Sequence, residues 1–216
     1  MRKKGLDFRV LFSLLALVVI AGGVALLTVG GSSAQQGSKA LAKQAHFDAE
    51  GVLSPIEVAP PLSLRNYLGQ PVNIDSYRGK AVLVTFLYTN CPDICPLIAS
   101  NLRVAQNLMG RAVSSKVQII AVSVDPRGDT SKAVAAFLAR HGMTGRMQYL
   151  IGSALQLAKV WKAWGVGSER DEQQPQFINH TGIIYGITAS GKRETVYASS
   201  FQPAEISHDV PLLAAL

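Results

Sequence analysis

Residues 81–96 read Ala81-Val-Leu-Val-Thr-Phe-Leu-Tyr88-Thr-Asn-Cys91-Pro-Asp-Ile-Cys95-Pro96. The first eight are a continuous apolar run rich in β-branched residues, the pattern of a strand buried on both faces. Ile94, Ile98, Leu102, Ala105 and Met109 then recur at helical spacing, so a helix follows. A buried strand that turns directly into a helix is the unit from which α/β sheets are built. Ligand sites in such sheets gather at the carboxyl ends of the strands, where both cysteines lie.

The alternation continues outward from this unit. Residues 117–124 predict a second buried strand, and Thr130 or Ser131 offers a cap for a helix running to about His141. Residues 148–151 are a short strand candidate, and Leu157, Trp161 and Trp164 share one helical face. Residues 177–187 and 193–198 read as strands joined by the turn Ala189-Ser-Gly-Lys192. A last helix or half-helix, interrupted by Pro211, occupies about 203–216. Upstream, residues 62–64 and 72–74 flank Gly69-Gln70-Pro71 as a hairpin. The expectation is an α/β domain: a central, mainly parallel sheet with helices on both faces.

Composition places the rest. The chain has 216 residues, 48% hydrophobic and 16% charged, which fits one folded domain with appendages. The net charge of +7 suggests nucleic acid until it is mapped. Residues 1–44 hold six basic residues and one acid, whereas residues 45–216 hold fifteen basic and thirteen acidic. The folded part is nearly balanced and has no basic run interleaved with aromatics, so a nucleic-acid partner is not expected.

Residues 10–29 carry no charge, and a helix of that length spans roughly 30 Å, the core of a bilayer. Arg2, Lys3, Lys4 and Arg9 precede it, so residues 1–9 are expected in the cytoplasm and the bulk of the chain outside. Cleavage after Ser32-Ser33-Ala34 is the competing reading, but twenty apolar residues exceed the usual signal core of about 7–15. A single-pass anchor in a bacterial cell membrane is therefore expected. Residues 30–53, opening Gly-Gly-Ser-Ser-Ala-Gln-Gln-Gly-Ser, read as a flexible tether, and residues 54–216 as the extracytoplasmic domain.

Cys91 and Cys95 are the two cysteines of the chain, too few for a four-cysteine iron–sulfur site or a disulfide scaffold. Cys91 falls near a helix N-cap with Pro92 in the first turn, where the helix dipole favours thiolate. Their spacing places both sulfurs on one side of the helix, close enough to share an ion or a disulfide. A disulfide kept only for stability is a poor use of the pair, since so short a loop contributes only about 2 kcal/mol. Two buried thiols acting as small hydrophobes fit poorly at a loop–helix junction in an oxidising compartment.

Among the four histidines, His46 lies in the tether, His141 at a helix end and His208 near the C-terminus, all readable as surface residues. His180 stands inside the apolar pattern Phe-Ile-Asn-His-Thr-Gly-Ile-Ile-Tyr. A lone strand histidine is usually structural, but the two sulfurs lack a third partner. Two thiolates and an imidazole form a soft set suited to copper, and a zinc site with one open position is also compatible.

Tyr88-Thr-Asn-Cys91-Pro92-Asp93-Ile-Cys95-Pro96, Ser123-Val-Asp125-Pro126-Arg127-Gly-Asp129-Thr130 and the later His180-Thr181 together resemble the Sco/SenC proteins. These are thioredoxin-fold copper proteins that assist assembly of cytochrome c oxidase. The resemblance covers about residues 55–215 and the single-anchor topology. It implies a thioredoxin-like fold and one copper ion on Cys91, Cys95 and His180. It further implies a copper-receiving oxidase subunit as partner, with an unidentified copper donor. Asp93, Asp125 and Asp129 are expected to flank the ligands. The family commonly reads Asp-Pro-x-Arg-Asp-Thr, whereas here Arg127 comes one place early and Gly128 takes the usual arginine position.

Two other chemistries compete with copper delivery. In thiol–disulfide exchange, Cys91 would attack a target disulfide and Cys95 would resolve it, without need of His180. A peroxiredoxin-type peroxidase resembles Thr-x-x-Cys, but Thr89 stands two residues before Cys91 rather than three.

Overall fold

The computed structural model describes residues 46–174 and 177–216; the expected anchor at 10–29 and the small residues Ser32–Ala34 lie outside them. Among the described residues, no helix is long and apolar enough to cross a membrane. The strands are β1 (Gly51–Val58), β2 (Ser63–Asn66), β3 (Pro71–Asn73), β4 (Ala81–Leu87), β5 (Val117–Ser123), β6 (Met147–Ile151), β7 (Ser168–Arg170), β8 (Ile178–His180), β9 (Ile183–Ile187) and β10 (Lys192–Ala198). The helices are α1 (Ile94–Leu108), a short α2 (Gly110–Ser114), α3 (Ser131–Arg140), α4 (Ala154–Trp164) and α5 (Pro203–Ala215).

Eight strands form one sheet in the order β1-β10-β9-β4-β5-β6-β2-β3. Only β4–β5 and β5–β6 are parallel; every other pairing is antiparallel. The sheet is therefore mixed, which corrects the mainly parallel sheet expected from the order of elements. The physical reason is the connections. The segments joining β4 to β5 and β5 to β6 each contain a helix long enough to return the chain, whereas β9–β10 and β2–β3 are joined by tight turns that permit only antiparallel pairing. Helices do cover both faces. Gly186 of β9 faces Leu213 of α5, while its neighbour Tyr185 packs on Trp164 of α4, and successive strand residues point to opposite faces.

β4 is buried along its whole length, as its composition requires for a central strand. Thr130 caps α3, with its side-chain oxygen accepting the Ala133 amide, and Ser153 with Gln156 forms a capping box on α4. Two expectations are corrected here. α5 runs unbroken through Pro211, because Ile206, Val210 and Leu213 bury one face of it and tertiary packing outweighs the missing amide. The tether also ends earlier than residue 53. β1 starts at Gly51, Phe47 is buried, and Asp209 of α5 accepts the amides of Asp48 and Ala49 and the Tyr197 hydroxyl.

Residues 177–187 do not form one strand. They break at Thr181–Gly182 into β8 and β9, and β8 pairs with β7 as a separate two-stranded sheet. β4 and β9 are antiparallel neighbours, so the end of β4 and the start of β9 meet at the same sheet edge. The cysteine loop leaves one and the β7–β8 hairpin leads into the other.

Candidate metal centre

α1 begins at Ile94 with Asp93 as its N-cap, so Cys91 stands before the helix rather than at its cap. The Asp93 side chain makes no capping bond, and the Cys91 sulfur takes that part by accepting the Cys95 amide at 3.4 Å. The fold thus turns Cys91 back over the first turn and brings the two sulfurs together. Both are free thiols, Cys91 8% exposed and Cys95 fully buried.

One proton is unequally held by this pair. Donation from the Cys95 thiol, helped by His180 and the Asp93 and Cys95 amides, outweighs burial and holds Cys91 well below the usual thiol range. Donating to the Cys91 thiolate, together with burial, pushes Cys95 well above it. The pair therefore favours proton loss at Cys91 over Cys95.

His180 arrives on β8, 85 residues further along. Its Nδ1 lies 3.2 Å from the Thr181 carbonyl oxygen, which can only accept, so Nδ1–H donates there and Nε2 is left facing the sulfurs. Nε2 lies 3.6 Å from Cys95 Sγ. An ion held by a sulfur at about 2.3 Å and an imidazole nitrogen at about 2.0 Å separates those atoms by roughly 3.5–3.8 Å. This part of the donor set therefore fits a shared soft ion without rearrangement, and the carbonyl bond holds the ring orientation as outer partners of metal-binding histidines do.

The hairpin carrying His180 is held at several points. The Tyr88 ring meets the His180 ring edge-on at 5.6 Å, and the Tyr88 hydroxyl accepts the Ile178 amide at 3.3 Å. Burial, opposed in part by that amide and reinforced by the neighbouring Cys91, pushes the Tyr88 phenol up to about 12. Ser168 Oγ donates to the Val124 carbonyl at 3.2 Å. Arg170 Nη2 pairs with Asp125 Oδ1 at 2.8 Å.

The expected carboxylates separate into three roles. Asp93 is exposed. Asp129 is buried and accepts from the Thr89 amide, the Ser123 hydroxyl and the Tyr149 hydroxyl, so it fixes the loop before Cys91 to β5 and β6. Burial raises its pKa, and those donors hold the rise in check. Asp125, 3% exposed, faces the hairpin through Arg170. Gly128 leaves no room for a side chain, because a Cβ there would lie 2.3 Å from Asp125 Oδ2 and 3.2 Å from Asn90 Nδ2. Arg127 is exposed and offers only its amide to Asp125.

The other histidines lie elsewhere. His141 packs on Phe137 with Ser100 near its Nδ1, and His208 sits against Asp48 and Asp209. Tyr88 and Arg170 were missed as site residues. Tyr88 stood inside the quoted motif, but Arg170 lay in a polar run with no local signal.

Residues 52–214 match the profile of the SCO1/SenC family. The mouse protein "Protein SCO1 homolog, mitochondrial" is 26% identical over 156 residues, 69% of this chain and 54% of its own length. The "SCO1 protein homolog" of Bacillus subtilis is 32% identical over 135 residues, 61% of this chain and 69% of its own. The chain spans about half the length of the mammalian relatives it matches. The solution structure of apo Sco1 from Thermus thermophilus superposes with a TM-score of 0.67 at 23% identity, covering 80% of this chain and 99% of that one. ScoI of Bradyrhizobium japonicum, solved with copper bound, gives a TM-score of 0.58 at 28% identity, covering 71% and 97%.

Proposed function

This chain belongs to the SCO1/SenC family, and on that premise we propose that it binds one copper ion through Cys91, Cys95 and His180 and delivers it during assembly of cytochrome c oxidase. The observation that carries the reading is the His180 ring, with Nδ1 committed to the Thr181 carbonyl and Nε2 turned to Cys95 Sγ. Two thiolates and an imidazole are a soft donor set that suits copper(I). Cys91, the less deeply buried of the two cysteines, is where an incoming ligand of the receiving subunit would begin the exchange. The charge-free run at residues 10–29 behind a basic N-terminus supports a single-pass anchor in a bacterial cell membrane, with the copper-binding domain outside.

The test is an anaerobic copper(I) titration of the reduced full chain in detergent, against a competing chelator, beside His180→Ala. One tight equivalent that weakens at least about tenfold in the variant is expected. Binding indifferent to His180 overturns the reading.

Thiol–disulfide exchange stands as a second reading on one specific observation, the free Cys91–Cys95 pair in which the Cys91 sulfur accepts the Cys95 amide and its thiolate is favoured. Cys91 would attack a target disulfide, and Cys95, losing its proton, would displace the target thiolate and leave the Cys91–Cys95 disulfide. This activity would survive His180→Ala, which separates the two.

A further inference from the structure

We infer that Arg170 is a positioning residue of the metal site, its ion pair with Asp125 holding the β7–β8 hairpin so that His180 stays within reach of Cys95, a role that rests on the copper reading above. The register carries the argument. Ser168 pairs with His180 and Arg170 with Ile178, so Arg170 and His180 share one face of the hairpin, at diagonal positions. The hairpin is a sheet of its own, outside the eight-stranded one. Two strands alone are marginal in water, so the placement of His180 depends on side-chain ties to the main body.

Among the described residues, three hydrogen-bonded or ionic ties stand out. Two of them, Ser168 to Val124 and Ile178 to Tyr88, are single neutral bonds of 3.2 and 3.3 Å. The third joins Arg170 to Asp125 at 2.8 Å and is charge-assisted, which makes it the shortest and the strongest by type. Asp125 is itself held rigidly. Its amide donates to Ser123 Oγ, its carboxylate accepts the Arg127 amide, and the absent side chain at Gly128 leaves its second oxygen room. Asp125 is 5% exposed at the side chain and Arg170 34%, so solvent screens the pair only in part. The carboxylate thus anchors the hairpin from the loop that follows β5, while the cysteines are fixed from the loop that follows β4.

The test uses the full chain carrying Arg170→Met, Arg170→Lys or Asp125→Asn, each also in a His180→Ala background. Arg170→Met should weaken copper(I) about 10- to 100-fold, as loss of an outer partner of a metal-binding histidine does. Arg170→Lys keeps the charge without the planar fork and should recover part of that loss. In the His180→Ala background, Arg170→Met should cost nothing further, because a residue that acts through His180 has nothing left to position. An undiminished loss in that background, or copper affinity within about twofold of wild type in Arg170→Met alone, overturns the inference. Amide hydrogen exchange on the metal-free chain supplies a reading independent of copper. Arg170→Met should speed exchange in β8 at least about tenfold and leave β4 and β5 unchanged. Unchanged β8 overturns the latch. Should wild type bind no copper through His180, the copper reading fails and Arg170's role with it, while the exchange data still decide whether the latch exists.

Discussion

His180 Nε2 lies 3.6 Å from Cys95 Sγ, although the two residues are 85 positions apart in sequence. Cys95 belongs to the first turn of α1 and His180 to the last residue of β8. What joins them is the antiparallel pairing of β4 with β9, which puts the exit of one strand beside the entrance of the other.

The uneven sharing of one proton between the sulfurs predicts uneven reactivity. Iodoacetamide should label Cys91 well ahead of Cys95 below neutral pH, as peptide mapping would show. In Cys95→Ala, the largest influence lowering Cys91 is gone, so the half-point of its labelling profile should move to higher pH. Equal labelling of both thiols, or an unmoved half-point, would contradict the assignment.

Tyr88→Phe removes the hydroxyl that accepts the buried Ile178 amide without changing the ring that meets His180. An amide left unsatisfied there should cost about 1–3 kcal/mol in urea unfolding. A variant as stable as wild type would mean that the amide finds another acceptor.

His208 lies 2.8 Å from Asp209 Oδ1 and 3.4 Å from Asp48 Oδ2, and the Asp209 bond first, then the charge of Asp48, raise its pKa above the ordinary value. A raised folded-state pKa favours the protonated, folded form. The stabilisation is complete below about pH 6.5 and is lost as pH climbs through the folded-state value. The gap in urea midpoint between wild type and His208→Gln should therefore be wider at about pH 5.5 than at about pH 8.5. The opposite order would refute the sign.

Gly186 has no space for a methyl group. A Cβ there would lie 2.1 Å from Thr195 Oγ1 and 2.8 Å from Leu213 Cδ1, so Gly186→Ala should lose about 1–3 kcal/mol by overpacking between β9 and α5. Gly51→Ala, whose Cβ would meet only Val196 at 3.9 Å, should stay within about 0.5 kcal/mol of wild type. Similar effects of the two changes would count against the close packing of α5 on β9.

Much of the fold was legible because β4, β5 and α1 carry their signal locally, in unbroken apolar runs and a helical period. The sheet's mixed character was not, since strand direction is settled by pairings between distant segments. β1 escaped notice for a physical reason. It is an edge strand, exposed at six of its eight positions, and its register shifts between Val52 and Glu57, where Pro55 offers no amide. At the site, Cys91, Cys95 and His180 were readable from residue type and spacing. Arg170 was not, because its meaning comes from Asp125, 45 residues away, and it sits on a strand of three polar residues.

The distance in sequence between Cys95 and His180 also sets an order of events during synthesis. At about 5–20 residues per second, the imidazole is made roughly 4–17 s after the second sulfur. For that interval the nascent chain offers a dithiol without its third donor. Any oxidant or metal that meets it then meets a different chemical species from the finished protein. Until β8 and β9 are in place, the chain carries the dithiol without the imidazole that the finished fold sets beside it.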